Sequence, residues 1–574
     1  MEFKSLLVHN FRSIKESKFD LYNYTGFVGS NNSGKSNVFT AIRVFYEEEK
    51  FNDKIDFPKF ITDDKESWIE IEYMLTDDEY SSLKIEYKMP GNVFKVRKYL
   101  KSETKGRVQA NQSNIYGYED GKLSDNLFYG AKNVGEAKLG TVIYIPELAK
   151  TDDNLKLSGP SPLRDLLTFV MKKVVKGSTS FVNLNNAFDE FNKTFKEEAS
   201  SDGFSLNELK KQINDNLKEW EVEFNININS ISPEDIIKSL VSHNTLDKHL
   251  EKEIDVKCLG QGLQRHLIYT LLKLSSQYAD KKEYGKKEFS PDFTLILFEE
   301  PEAFLHPTQQ DFLNNSLKIL SLEDGQQIII TTHSPIFVSK NVDDLHALIK
   351  FKRSKGVTTT FQVSEEMQAK IISEYNELVQ LLQAKLTEVT TDEPTKKSIH
   401  GLIGEIDETT RMEQEAMRYL LWLDSERCCA FFSDIIIICE GATEKVLIDY
   451  LIKNKWDDLW ERKIYVLDSM GKFNIHRYMN LFKELGIYHC VLADKDENNN
   501  IHLIINGFIE NQKNTYTRSI DFFEKDIEAF LGVPVPPKNR RDRKPLNVLW
   551  HYSKGFISQD KIDSLKLKID SLIQ

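Results

Sequence analysis

Four carboxylates near the C-terminus, Glu440 and Glu444 in CEGATE and Asp494 and Asp496 in ADKDE, each follow a short run that reads as a buried strand. SDIIIICEG is β-branched up to its acid and ATEKVLIDYLI then takes helical spacing, which puts Glu440 at a strand's C-terminal edge and Glu444 near the start of a helix. YHCVLAD ends the same way at Asp494. In a parallel α/β sheet such strand ends share one crevice, so acids distant in sequence converge there. Clustered carboxylates repel one another unless Mg²⁺ or Mn²⁺ neutralises them. Two such ions can clamp the attacking and leaving oxygens of a phosphodiester. The residues therefore suit phosphoryl transfer on nucleic acid.

A second set of residues suits a nucleotide. GSNNSGKS, from Gly29 to Ser36, fits GxxxxGK[ST] with a strand before it and a helix after it. Its backbone N–H groups, including those at Gly29, Asn32 and Gly34, and the helix N-terminus would cradle phosphates. Lys35 would reach the β and γ phosphates of ATP and Ser36 would bind Mg²⁺. Downstream, FTLILFEEPEAFLHP supplies Glu299, placed to sit near the metal, and Glu300, placed to orient the attacking water. IIITTHSP offers His333 just past a strand as a γ-phosphate sensor. CLGQGLQRHLIYTLL puts Gly260 and Gly262 at a helix start, suited to an anion.

The elements that must position these residues divide the chain. Residues 1–160 read as the first part of a P-loop domain: MEFKSLLVHNF, FDLYNYTGFVG, a helix from Lys35 to about Glu48, then alternating stretches (WIEIEYML, LKIEYKM, VFKVRKYL, TVIYIPE) that predict an antiparallel sheet. Residues 161–253 turn helical and polar (DLLTFVMKKVV, AFDEFNKTFKEE, LNELKKQINDNLKEWEVEF), a helical insertion that suits a dimer contact or a hairpin packed on its own domain. Residues 254–365 complete the nucleotide core with the strands FTLILFE and QIIITT. Residues 366–432 form a helical linker, in which MEQEAMRYLLWLDSERCCAFF reads as its second helix, and 433–574 hold the acidic domain.

Composition excludes several classes. With 40% hydrophobic and 29% charged residues the chain is that of a folded globular protein, and its length predicts two to four domains. No secretory leader or apolar run of about 18 residues is present, so the expectation is a cytoplasmic protein without a membrane partner. A net charge of -13 argues against a uniformly basic DNA-coating surface, although PPKNRRDRKP (Pro536 to Pro545) is a local basic run near the acids. The five cysteines show no CxxC pair and read as small buried hydrophobes.

The order P-loop, Gly-rich turn, strand with paired Glu and strand with His resembles the ABC-type ATPase heads of the SMC/RecF class. The Gly260/Gly262 turn resembles the signature loop that meets ATP held by another subunit, and HNFRSIK places Arg12 where such heads keep an Arg near the nucleotide. YIPEL (Tyr144 to Leu148) carries no Gln, so no Q-loop residue is assigned. EGATE and DKD with SMGKFN between them are similar to the Toprim signature, which implies metal or acid/base roles for Glu440, Asp494 and Asp496 and an additional ligand role for Glu444. A head followed by Toprim resembles the OLD (overcoming lysogenisation defect) family of ATP-dependent endonucleases.

That resemblance implies further acids, Asp526 and Glu528 in FEKDIEAFLG, and a catalytic Lys, for which HYSKGF offers Lys554. It implies an α/β fold with an ABC-type P-loop domain, a helical insertion and an α/β Toprim domain. It also implies ATP with Mg²⁺ or Mn²⁺, a DNA substrate, a homodimer or higher homo-oligomer, and an antiphage role beside a companion helicase or a reverse transcriptase with its small DNA. Two other readings use the same residues: a DNA-repair ATPase whose Toprim domain binds DNA without cutting it, and a primase or topoisomerase.

Overall fold

The computed structural model describes the chain except residues 131–138, 148–154, 158–160, 162, 165–166, 169, 172–177, 221, 226–232, 279–288, 290, 292, 339–341, 389–390, 404–409, 411–413, 415–423 and 497–499. Two compact units result: Met1–Tyr144 with Lys286–Gln574, and Ile145–Gly285. Most of DLLTFVMKKVV and of the helix expected from Met412 lies outside the described residues.

Alternation with a register shift between Phe3 and Ser5 places Phe3 and then Leu6 and Val8 inward, and β1 (Glu2–Phe11) pairs antiparallel with β2 (Ile14–Asp20). FDLYNYTGFVG is divided after Asp20, and β3 (Tyr24–Gly29) enters a different sheet. β4 (Ser67–Met74), β5 (Val93–Lys101), β6 (Ile115–Glu119) and β7 (Lys122–Leu127) extend the first sheet in the order β2-β1-β4-β5-β6-β7. Two of the expected strands behave otherwise. LKIEYKM forms only a 3-10 turn, Ile85–Tyr87, because the Thr76-capped helix Asp77–Ser82 ends just before it and the turn at Pro90 and Gly91 follows, leaving Met89 a single bridge to Val93. TVIYIPE becomes β8 (Thr141–Ile145) of the nucleotide core sheet, where the Thr141 N–H donates to the Phe293 carbonyl at 2.8 Å.

Among its described residues the Ile145–Gly285 unit holds helices and one hairpin, β9 (Thr245–Asp247) with β10 (Lys252–Ile254). Its helix Thr179–Glu197 stacks Phe191 on Phe195, and its helix Gln261–Tyr278 begins at the Gly260 turn.

In the other unit, β11 (Thr294–Glu299), β12 (Gln326–Thr332), β13 (Leu348–Ser354) and β14 (Val357–Gln362) complete the core sheet in the order β14-β13-β3-β12-β11-β8. β3 lies in its middle, parallel to both β12 and β13, so the P-loop leaves from the centre of a buried sheet. Three apolar-rich strands that end in acids, β15 (Ile435–Cys439, before Glu440), β16 (Ile464–Asp468) and β17 (Tyr488–Asp494), are parallel to one another, with β18 (Thr517–Phe523) on the edge, order β16-β15-β17-β18. Burial on both faces explains the continuous IIII run. Ile436 and Ile438 join a core shared with Val28 of β3, whereas Ile437 and Cys439 face the core under the C-terminal helices. Among the described residues no helix is long and apolar enough to cross a membrane.

Just before β17, at the N-terminal ends of the strands of the four-stranded sheet, Gly486 lies against the β14 residue Phe361. Its φ is +63° and a Cβ there would stand 2.4 Å from the Phe361 ring. Gly486→Ala is expected to destabilise the protein by about 1–3 kcal/mol in urea denaturation, and adding Phe361→Ala to recover part of that loss. An unchanged midpoint for Gly486→Ala would contradict the packing.

Candidate nucleotide and acidic sites

The P-loop is shaped by two glycines that admit no side chain. Gly29 has φ +150°, and a Cβ would lie 2.4 Å from the Phe351 carbonyl of β13; Gly34 has φ +109°, with a Cβ only 2.3 Å from Thr358 Oγ1. Lys35 opens the helix Lys35–Phe45 and its buried ammonium folds back to the Gly29 carbonyl at 2.9 Å and the Ser30 carbonyl at 3.2 Å. Burial draws its pKa down to about 8, against the pull of Glu300, Glu302 and Glu299. His333 Nε2 stands 2.9 Å from Lys35 Nζ and 3.3 Å from Glu300 Oε1, so the P-loop, the β11 terminus and the β12 terminus meet. Glu299 accepts from the Tyr144 hydroxyl at 2.8 Å. Ser36 is exposed at the same helix end.

Arg12 reaches this helix, donating to Thr40 Oγ1 at 3.0 Å and to Asp56 Oδ1 at 2.8 Å. Arg353 donates to the Asn32 side chain at 2.7 Å. Arg12, Asn32, Asn37, Lys59, Arg353 and Lys355 help line a cation-rich cavity of about 580 Å³ beside the P-loop, which Lys35 and Ser36 do not line. Glu302, which sequence reasoning passed over, accepts from the Thr332 hydroxyl and the His333 and Ser334 N–H groups, and so fixes the loop that aims His333. Gly260 and Gly262 begin the helix Gln261–Tyr278 in the other unit, where the Gly260 carbonyl accepts from Leu263 and Gln264.

The acids lie where β15 and β17 end. Glu440 Oε2 accepts the Asp494 N–H at 3.1 Å, tying the two strand ends together. Glu444 is one turn into the helix Ala442–Asn454, buried, and accepts the Gly441 N–H at 3.2 Å. Burial pushes its carboxyl up to about 7, and Glu440 and Glu528 add repulsion. Asp494 goes further, to about 9, first by burial and then by the charges of Glu444, Glu440 and Asp496. Glu440 is raised for the same first reason.

A buried cation sits within this cluster. After β16, the loop SMGK is pinned to β15 by the Ser469 N–H on the Cys439 carbonyl (3.0 Å) and the Gly471 N–H on the Glu440 carbonyl (2.7 Å). It delivers Lys472, only 1% exposed, between the acids: Nζ lies 3.2 Å from Asp496 Oδ2, 3.6 Å from Glu440 Oε2, and on the Asp494 carbonyl. His502 Nδ1 also faces Asp496 at 3.3 Å. Sequence reasoning quoted SMGKFN but gave Lys472 no role; its place directly after a strand ending in Asp468 was the available signal.

Glu528 is buried beside Glu444 and pairs with Lys544 at 3.1 Å, while Asp526 caps its own short helix by accepting the Ala529 N–H. Lys554 lies exposed at the C-terminal cap of the helix Lys544–Ser553, and the lysine of this helix that meets an acid is Lys544, at its other end.

The donor chemistry fits a hard divalent cation: all ligand candidates are carboxylate oxygens, and Asp494 Oδ1 is buried without a partner among the described residues. The expected pocket is not a finished ligand shell. Among the described residues no three His, Cys, Asp or Glu side chains converge at metal-binding distances, because Lys472 lies between Glu440 and Asp496 and Glu444 is turned to Gly441.

Comparison with known proteins assigns both domains. Residues 1–338 match the model of an AAA ATPase domain, and residues 431–496 match that of the overcoming lysogenization defect protein-like TOPRIM domain. The chain belongs to the AAA ATPase family and carries an OLD-like TOPRIM domain. It is 23% identical to the Old nuclease of Escherichia phage P2 over 87% of this chain and 78% of that protein. Endonuclease GajA of Bacillus cereus is 24% identical over 86% of this chain and 75% of its own length in one strain, and 24% identical over 55% and 41% in another. The P-loop ATPase head followed by an α/β TOPRIM domain, expected from motif order, is the architecture found. These two domains imply use of a nucleotide and a divalent cation.

The raised carboxyls fix a pH dependence. A folded state that keeps Glu444 and Asp494 protonated binds more protons than the unfolded chain between the ordinary carboxylate range and about 9. In EDTA, thermal stability is therefore expected to fall as pH rises through that window, and Glu444→Gln to flatten its part near 7. A stability that rises there would contradict the assignment.

Proposed function

We propose that the OLD-like TOPRIM domain is the catalytic part of an ATP-regulated, divalent-metal-dependent DNA endonuclease. The observation that carries this reading is the convergence of buried, mutually repelling carboxylates at the β15 and β17 ends. Such a cluster costs stability as it stands, which is the expected expense of a site kept for cations. Glu440, Glu444, Asp494, Asp496, Asp526 and Glu528 would hold Mg²⁺ or Mn²⁺, which when bound supplies Lewis-acid stabilisation of charge developing on the phosphodiester. Lys472 and Lys544 supply fixed positive charge for a phosphate that approaches the acids, with Lys554 as a further candidate.

In the head, Lys35, Ser36, Glu299 and Glu300 would bind and hydrolyse ATP, His333 would sense the γ phosphate, and Gly260 and Gly262 would complete the site of a second subunit. Dimerisation follows from that division. The names of the curated relatives, Old nuclease and endonuclease GajA, support nuclease chemistry here, and a cytoplasmic antiphage role beside a companion protein is the biological setting that fits.

The test uses supercoiled plasmid with Mg²⁺ or Mn²⁺, with and without ATP. Asp494→Ala is expected to abolish cutting, at least 100-fold by the usual scale of such losses, while leaving ATP hydrolysis intact. Lys35→Ala is expected to abolish ATP hydrolysis and to change the response of cutting to ATP without removing the chemistry. Undiminished cutting by Asp494→Ala would refute the assignment.

A further inference from the structure

The C-terminal helix Lys544–Ser553 links the acids to a surface that no motif explains. At its first turn Lys544 bonds Glu528. Its inner face is fixed by Val548, fully buried, and by Tyr552, which meets Tyr450 edge-on at 5.8 Å. The outer face carries Arg543, Leu546, Trp550 and Lys554, at successive spacings of three, four and four residues, which aligns them as one stripe. All four are exposed, Leu546 by 67% and Trp550 by 47%. Past the helix end the chain returns Phe556, 65% exposed, to within 5.5 Å of the Trp550 ring, and His551 closes the cluster at 4.9 Å from Trp550 and 5.9 Å from Phe556.

Leu546, Trp550 and Phe556 together form a contiguous exposed apolar patch, the kind of surface that marks an interaction site. Arg543 and Lys554 stand at the two ends of this stripe with positive charge, Lys544 carries charge to Glu528, and Arg540 is paired with Asp542 at 3.7 Å. Two copies of the chain meeting here would bring like charges together, which disfavours self-association through this stripe. An anionic chain with accessible aromatic faces satisfies both features, and single-stranded DNA is such a chain, whereas a duplex hides its base faces by stacking. From Lys544, which meets Glu528, to Trp550 the path runs six residues along one helix, about 9 Å of rise.

From this juxtaposition we infer that Trp550 and Phe556 form a base-stacking platform for unpaired nucleotides, flanked by Arg543 and Lys554 on the strand's phosphates, which directs single-stranded or locally opened DNA to the acidic site. The inference rests on the endonuclease reading and adds the substrate class to it.

The experiment is fluorescence anisotropy of a labelled mixed-sequence single strand and of the matching duplex, with the full chain in EDTA so that no cutting occurs. Trp550→Ala is expected to weaken single-strand binding about 5- to 100-fold, with a smaller loss for the duplex, and Trp550→Phe to retain most of the affinity. Phe556→Ala, in a loop outside the helix, gives an independent variant should Trp550→Ala fold poorly. Unchanged single-strand binding in both Ala variants, equal losses for both DNA forms, or no single-strand binding by the wild type would overturn the inference. A fall in molecular mass on Trp550→Ala with DNA binding intact would assign the surface to a second copy instead. Because binding is read without metal, these outcomes are separate from the Asp494→Ala cutting test, whose failure would remove the nuclease reading whatever the anisotropy shows.

Discussion

The C-terminal domain is organised around a repulsion. Strands that end in Glu440 and Asp494 cannot be parallel neighbours without bringing carboxylates together, and the helix after β15 adds Glu444 on the same side. Burial removes the water that would screen these charges. The protein meets the repulsion with protons, which the raised pKa values of Asp494 and Glu444 express, and with the ammonium of Lys472. Both responses are reversible, unlike an apolar replacement, and a divalent cation held by these acids would compete with each of them. The SMGK loop, hydrogen-bonded to the end of β15, is therefore as much a part of the site as the acids.

The ATPase head and the TOPRIM sheet are connected through their strands. Gly29 of the P-loop packs against the Phe351 backbone, and the adjacent Lys350 is buried, its pKa drawn down to about 7 by burial and by Lys352. Its ammonium points to the Ser433 carbonyl, just before the strand that ends beside Glu440. Lys352 lies 4.5 Å over the Tyr488 ring at the start of the strand that ends in Asp494. The head thus grips the N-terminal ends of the two strands whose C-terminal ends hold the acids, and Val28 shares their hydrophobic core.

What was legible in the sequence was whatever strand and loop chemistry writes locally. The IIII run, the GxxxxGKS loop and the acids at strand ends were readable because burial on both faces, phosphate cradling and strand termination each demand residue types at short spacing. The fates of LKIEYKM and TVIYIPE were not, since the first depends on a capped helix next to it and the second on which sheet offered an edge. Lys472, Lys544 and Glu302 escaped for a related reason. A lysine or glutamate in a polar loop looks solvated until tertiary contacts bury it, and nothing within a few residues of Lys472 shows that Asp496, 24 positions away, will face it. Lys554 drew attention by resemblance, whereas the contact to Glu528 is made ten residues earlier.

A divalent cation bound at these acids would take over the charge balance now kept by protons and by Lys472. Calorimetric titration of Mn²⁺ into the protein near neutral pH, repeated in buffers of different ionisation enthalpy, measures protons released per ion bound. Release of about one proton or more per site, abolished in Asp494→Asn, is the predicted result. Binding with no proton release, or no binding that depends on Asp494, would contradict the account.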